Sequence, residues 1–172
     1  MLLVSKNLKN SAFFDEAWAL YDYSFPQNEK RILKEQKCIE KNINYKTLGY
    51  FDENKLVAIL FYWVFDRYVF IEHFAIDINQ RGKSYGSKIL KDFLEKNSKV
   101  VLEIELLNDE VSKKRLKFYE KLDFVVNEFK HYQVPFREED ESLELLFLSY
   151  KEKLSKKEYE DLYSKMNASL RL

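Results

Sequence analysis

Residues 71–90, IEHFAIDINQRGKSYGSKIL, limit what this chain can fold into more than any other stretch. Apolar residues dominate up to Asp77, a polar turn of Asn79, Gln80, Arg81, Gly82, Lys83 and Ser84 follows, and Tyr85, Ile89, Leu90, Phe93 and Leu94 then recur at helical spacing. Such a change of period specifies a strand, a short turn and a helix in direct succession. The turn region holds Gly82 and Gly86, two of only three glycines in the chain, and the cations Arg81 and Lys83 where the helix begins. A helix start presents unpaired N–H groups and the positive end of the helix dipole, and glycine lets the backbone approach an anion closely. The stretch therefore has the makings of a phosphate cradle. It is neither of the two commonest ones, because G-x-x-x-x-G-K-[ST] and G-x-G-x-x-G are both absent.

The rest of the chain supplies a sheet for this unit to join. Residues 2–5 predict a short strand. Phe13, Phe14, Ala17, Trp18 and Tyr21 form a helical stripe that Asn10 or Ser11 is placed to cap. Pro26 interrupts, and Asn28 is placed to cap a second helix running to about residue 41. Strands are expected at residues 45–51, 56–65 and 68–78, joined by a hairpin loop at 52–55 and a tight turn at Asp66 and Arg67. After the cradle helix come a strand at 100–106, a helix at 111–122, a strand at 124–134, a polar loop at 135–142 and a strand at 143–150. Ser155 and Glu158 make a capping box for a last helix carrying Tyr159, Leu162, Tyr163 and Met166 on one face. This order predicts a mixed α/β fold of one domain spanning residues 1–172. Its sheet has about seven strands, mostly antiparallel, with helices on both faces and parallel pairing around residues 100–106. The core ends near residue 150, and the helix at about 155–170 reads as an appendage that packs on the sheet or on a second copy in a homodimer.

Composition excludes several classes. Lysine plus arginine and aspartate plus glutamate number 29 each, so no net field recruits nucleic acid. Cys38 is the only cysteine and there are two histidines, which leaves no disulfide and no metal site expected. The apolar run at 56–65 is too short to span a bilayer, and the opening Met1-Leu2-Leu3-Val4 before Lys6 is too short for a signal peptide, so a cytoplasmic protein is expected. Fourteen Phe, twelve Tyr and two Trp amply supply a core or a lined pocket.

Two motifs carry a family resemblance. Arg81-Gly82-Lys83-Ser84-Tyr85-Gly86 resembles the R/Q-x-x-G-x-G/A cradle of the bacterial-type GNAT superfamily of N-acetyltransferases, with Ser84 where the middle glycine is usual. A serine N–H still donates there, provided the backbone does not need positive φ. Phe118-Tyr119-Glu120-Lys121-Leu122-Asp123-Phe124 resembles the second signature, F-Y-x-x-x-G-F, with Asp123 for the glycine, a residue that tolerates the left-handed conformation favoured at a helix end. The element order is also that of the family.

The resemblance implies acetyl-CoA as cosubstrate, with no metal. It implies that backbone groups of Phe74, Ala75 and Ile76 pair with the pantetheine arm as an added strand would. N–H groups of Gly82, Lys83, Ser84, Tyr85, Gly86 and Ser87 take the pyrophosphate, with charge from Arg81 and Lys83. Ser112 stands where the family often has an asparagine contact. Tyr119 matches the tyrosine that protonates the departing thiolate, whereas its spacing alone favours a core tyrosine bonded to backbone. Glu72 lies in Phe70-Ile71-Glu72-His73-Phe74, where a buried charge needs a partner, water or a catalytic task. The resemblance makes it the base that deprotonates the amine; the alternative is a salt bridge or solvent exposure. Strand alternation puts His73 on the opposite face. The acceptor side falls to residues 21–31 and 131–140, including Phe25, Glu29, Arg31, Tyr132, Phe136 and Arg137. The acidic run at 138–141 could attract a cationic amine but reads as a solvated loop tip, and Tyr62 and Trp63 hint at an apolar or aromatic acceptor. The implied activity is transfer of an acetyl group to a primary amine of a small molecule or peptide by direct attack. A non-catalytic acyl-CoA-binding regulatory module and an O- or longer-chain acyltransferase remain alternatives on the same cradle.

Overall fold

The apolar run becomes β3 (Lys55–Phe65), whose β-branched and aromatic residues suit a strand covered on both faces. In the computed structural model, which describes residues 3–137 and 140–171, it lies within a seven-stranded sheet of order β1-β2-β3-β4-β5-β7-β6. The other strands are β1 (Leu3–Asn7), β2 (Tyr45–Asp52), β4 (Tyr68–Ile76), β5 (Val100–Glu105), β6 (Phe124–Tyr132) and β7 (Glu144–Tyr150). The helices are α1 (Phe14–Ser24), α2 (Leu33–Ile39), α3 (Tyr85–Lys96), α4 (Glu110–Glu120) and α5 (Lys156–Leu170). Residue 2, expected to open the first strand, lies outside the described residues. No helix among the described residues is long and apolar enough to cross a membrane.

Two apolar clusters separate the layers. On one face, residues of α1, α2 and α5 pack with Phe61, Trp63, Phe70, Val101 and Phe147. On the other, α3 and α4 pack with Leu60, Ile71, Leu102, Ile104 and Leu148. The expected apolar face of α3 is the observed one, with Tyr85, Ile89, Leu90, Phe93 and Leu94 buried. The α5 helix packs on the sheet, one of the two placements expected of it. Leu162, Met166 and Leu170 are buried in the first cluster, and the Ser155–Glu158 capping box forms as expected.

Several expectations are corrected by long-range packing. Parallel pairing is confined to β4–β5, because β7 inserts beside β5 and pairs antiparallel with both β5 and β6. Asn28 caps no long helix. Residues Gln27–Glu29 make one 3-10 turn, and α2 starts only at Leu33, where the Glu35 carboxylate accepts the Ile32 N–H at 2.9 Å. Neither Asn10 nor Ser11 caps α1 directly; the Ser11 hydroxyl accepts the N–H of Phe13 instead. β4 ends at Ile76 rather than 78, because the Asp77 carboxylate accepts from Asn79 N–H and turns the chain into a 3-10 segment at Ile78–Gln80. β6 stops at Tyr132, two residues short of the expected 134.

Candidate active site

A single extra residue opens the sheet. Phe61 of β3 faces His73 of β4 and Tyr62 faces Ile71, so Glu72 is a β-bulge. Bulges bend a strand and can end its pairing. The β4–β5 ladder stops at this point: its pairs are Val69 with Val100, Phe70 with Val101 and Ile71 with Leu102. Beyond the split the strands bound a cavity of about 800 Å³, lined from β4 by residues 70–76 and from β5 by residues 102–105. The bulge also overturns the expected alternation. Glu72 and His73 point to the same face, where Glu72 meets Trp63 while His73 packs its ring against Tyr21 and Phe25.

The cradle lies at the far end of β4. Arg81, Gly82, Ser84, Tyr85, Gly86 and Ser87 all line the cavity, as do Phe74, Ala75 and Ile76. Among the described residues no side chain caps the start of α3, which leaves its first N–H groups to face the cavity. Gly82 has φ +77° with open space where a Cβ would stand. At Gly86 a Cβ would come within 3.4 Å of the Phe118 ring, so α3 and α4 approach closely here. The condition attached to Ser84 is not met: its φ is +61°, the left-handed region in which the usual glycine is free and serine is strained by roughly 1–2 kcal/mol. Asp123 takes the same conformation, φ +64°, just beyond α4, as its position in the second motif predicts. Lys83 does not line the cavity, since its ammonium is held by the Gln80 side chain at 2.9 Å. Ser112 is removed from the expected contacts too. It is buried at the start of α4, where its N–H donates to Asp109 Oδ1 at 2.7 Å and its hydroxyl donates to Asp109 O.

Glu72 is tied down rather than poised. Arg31 grips it with two hydrogen bonds, Nη1 to Oε2 at 2.6 Å and Nη2 to Oε1 at 2.8 Å, and Trp63 Nε1–H adds a third at 3.1 Å. Both partners of the ion pair are about 1–2 % exposed. Although burial opposes ionisation, Arg31 and His73 hold the Glu72 carboxyl well below the usual carboxylate range. His73 Nδ1 is 3.3 Å from Oε2 without hydrogen-bond geometry, while His73 Nε2–H donates to Glu29 O at 2.8 Å. With both oxygens engaged and its proton affinity low, Glu72 is poorly disposed for the role of base that the resemblance implied. It anchors Arg31, whose guanidinium stacks 4.3 Å over Phe136 and donates to Leu170 O at the end of α5.

The acceptor wall is acidic and partly aromatic. Phe25, Glu29, His73, Glu103, Glu105 and Phe136 line the cavity on the α1 and α5 side. Burial, with Glu105 nearby, raises the Glu29 carboxyl above its usual range. Glu105 is paired with Arg115 at 2.5 Å. Glu103 gives one oxygen to His131 Nε2 at 2.6 Å; its other oxygen bonds no described residue. Tyr119 and Phe118 of α4 close the opposite wall. The Tyr119 hydroxyl finds no partner among the described residues, unlike that of a core tyrosine tied to backbone, and burial pushes it up to about 12, so it stays protonated at neutral pH. Tyr62 and Trp63 lie outside the cavity lining: Tyr62 packs on Phe93 and Trp63 bonds Glu72. Arg137 binds backbone carbonyls of Gln27 and Lys30 together with Asp140; positions 138 and 139 of the acidic run lie outside the described residues. Glu103 and Glu105 escaped the sequence reading, although carboxylates at alternate positions of the apolar stretch VVLEIE carry the signal that singled out Glu72.

Comparisons with known proteins bear on the fold. A family model described as an acetyltransferase (GNAT) domain matches residues 43–126, which span β2 to the start of β6. Over 77 residues the chain is 31% identical to the curated Bacillus subtilis (strain 168) protein YjbC, which is carried among the acetyltransferases. That stretch is 44% of this chain and only 38% of the relative. A solved GNAT-family protein from Bacteroides thetaiotaomicron is 26% identical, with a TM-score of 0.88 over 98% of this chain and 97% of its own. A Bacillus subtilis acetyltransferase solved in complex with CoA shares the fold at 13% identity, with a TM-score of 0.60 over 90% of this chain and 100% of its own.

Proposed function

From the premise that this chain has the GNAT superfamily acetyltransferase fold, we propose that it transfers an acetyl group from acetyl-CoA to a primary amine by direct attack. The observation that carries the reading is the split between β4 and β5. An uncapped helix start with Arg81 lies at one end, a free strand edge at Phe74–Ile76 runs along it, and carboxylates face Tyr119 across the cavity at the other. These residues fit the cosubstrate: the N–H groups of the α3 start with Arg81 would hold the pyrophosphate, and the β4 edge the pantetheine amides. Acetyl-CoA supplies the activated acetyl thioester.

This chain's own groups supply the proton handling. An alkylammonium keeps its proton at neutral pH, since such amines have pKa values near 10. Glu29 and Glu103 provide negative charge to draw it in. Of the β4 and β5 carboxylates, Glu72 has both oxygens held by Arg31 and Glu105 is ion-paired with Arg115 three residues past the last β4–β5 pair, whereas Glu103 stands directly after that pair with one oxygen that bonds no described residue. Glu103 removes the proton from the ammonium nitrogen. Tyr119, kept as a neutral phenol, donates its proton to the departing sulfur and recovers one from the nitrogen that has formed the amide.

Calorimetric titration with acetyl-CoA tests the cradle half of this reading. Micromolar binding is expected for the unaltered chain and its loss for Arg81→Glu with Gly86→Glu, which places carboxylates where the pyrophosphate would sit. Equal binding by the folded variant would refute the cradle.

A further inference from the structure

Resting on the acetyl-transfer reading, one line of side chains joins the outer helix to the cavity. Tyr159 Oη on α5 lies 2.7 Å from His131 Nδ1 on β6, and His131 Nε2 lies 2.6 Å from Glu103 Oε1 on β5. His131 is 0 % exposed, so no water competes for its ring nitrogens. An ionised carboxylate only accepts, which requires Nε2 to carry a hydrogen. The Tyr159 hydroxyl then donates to a bare Nδ1, or accepts from Nδ1–H when the ring is charged. Tyr159 is itself held by Phe129, stacked at 4.3 Å, and by Phe147 and Tyr163. The titratable groups facing His131 are Glu103 from β5 and Tyr159 and Tyr163 from α5; Glu103 shares the cavity with Glu29, Glu105 and Arg115.

We propose that His131 and Tyr159 are positioning residues that hold Glu103 as the proton acceptor for the amine, which gives α5 a part in the reaction. His131 occupies one carboxylate oxygen and so turns the other toward the cavity. Tyr159 fixes the tautomer that lets His131 do this. In the step itself, an N–H bond of the ammonium breaks and an O–H bond forms on the free Glu103 oxygen, which leaves the nitrogen lone pair available. The proton passes to water when the site empties. A hydrogen bond of this kind is worth about 1 kcal/mol, so losing it corresponds to roughly a five- to tenfold loss in rate.

The test uses the full chain with acetyl-CoA and a primary amine, and follows kcat, KM and the pH dependence of kcat/KM. Tyr159→Phe removes only a hydroxyl, and His131→Gln keeps an N–H donor toward Glu103 but loses the link to Tyr159. Both are expected to lower kcat about five- to tenfold, leave the KM for acetyl-CoA unchanged and displace the acid limb of the kcat/KM profile. Tyr163→Phe is the control on the same helix, since its hydroxyl donates to Tyr132 O at 2.9 Å and is not part of the line. It should alter neither kcat nor the profile. Tyr159→Phe and His131→Gln profiles that coincide with that of Tyr163→Phe would overturn the positioning role while leaving acetyl transfer intact. An unaltered chain that acetylates no amine would overturn the parent reading and this one with it.

Discussion

Replacing Arg31 by methionine is expected to destabilise the fold by about 3–5 kcal/mol, because it strands a carboxylate in the interior. Glu72 is 2 % exposed, and Trp63 Nε1–H is a weak substitute for a bidentate guanidinium. Since small domains are stable by only about 5–15 kcal/mol in total, urea unfolding at pH 7 will register the loss plainly. The pH dependence gives a second signature. In the unaltered chain the Glu72 carboxyl is depressed by Arg31, so its stabilisation is complete above the unfolded carboxylate value of about 4.3 and fades as pH falls through the lower folded value. In Arg31→Met burial outweighs what His73 and Trp63 still contribute and raises the carboxyl. The folded state then binds the proton more tightly than the unfolded one, and the variant regains stability as pH falls from 7 toward 5. Adding Glu72→Gln to Arg31→Met should restore most of the loss at pH 7. A single variant that loses less than about 1 kcal/mol would show that the pair is not the anchor described here.

Glu103→Gln is expected to cut kcat by about 10²–10⁴, the range for a positioned general base, with the KM for acetyl-CoA little changed. The amide keeps the shape of the side chain and accepts from His131 Nε2–H, so the fold and the cradle stay as they are. Glu72→Gln in the same assay separates the two carboxylates: it should lower stability more than it lowers kcat at temperatures where the variant is folded. Steady-state thiol release and thermal unfolding measured on both variants decide between them. A Glu103→Gln enzyme with undiminished kcat would return the base to Glu29 or to solvent.

What the sequence disclosed is what neighbouring residues determine. The buried face of α3, the Ser155–Glu158 box, the left-handed Asp123 and the turn that leads into α3 follow from spacing of a few residues, where side chains meet on one helix or at one turn. The motif at 81–86 even marked the place of a left-handed residue, although Ser84 is an unfavourable choice for it. What stayed hidden depends on pieces far apart in the chain. The bulge at Glu72 exists only in the register between β3 and β4, and it reverses the face on which His73 sits. Arg31 is 41 residues from the carboxylate it grips. The insertion of β7 between β5 and β6 decides that His131 reaches Glu103, and neither strand's own pattern records it. At Ser112 the local signal serves two roles: the same hydroxyl that suits a ligand contact suits a capping box, which it forms with Asp109.

Catalysis is the decisive property, and the most direct measurement is acetyl-CoA turnover against a panel of primary amines, following thiol release and the mass of the acetylated amine together. The expected result is saturable, amine-dependent thiol release matched one for one by acetylated product, and reduced by Tyr119→Phe. A folded protein that binds acetyl-CoA yet releases no thiol with any amine would contradict the account and leave an acyl-CoA-binding module on the same fold.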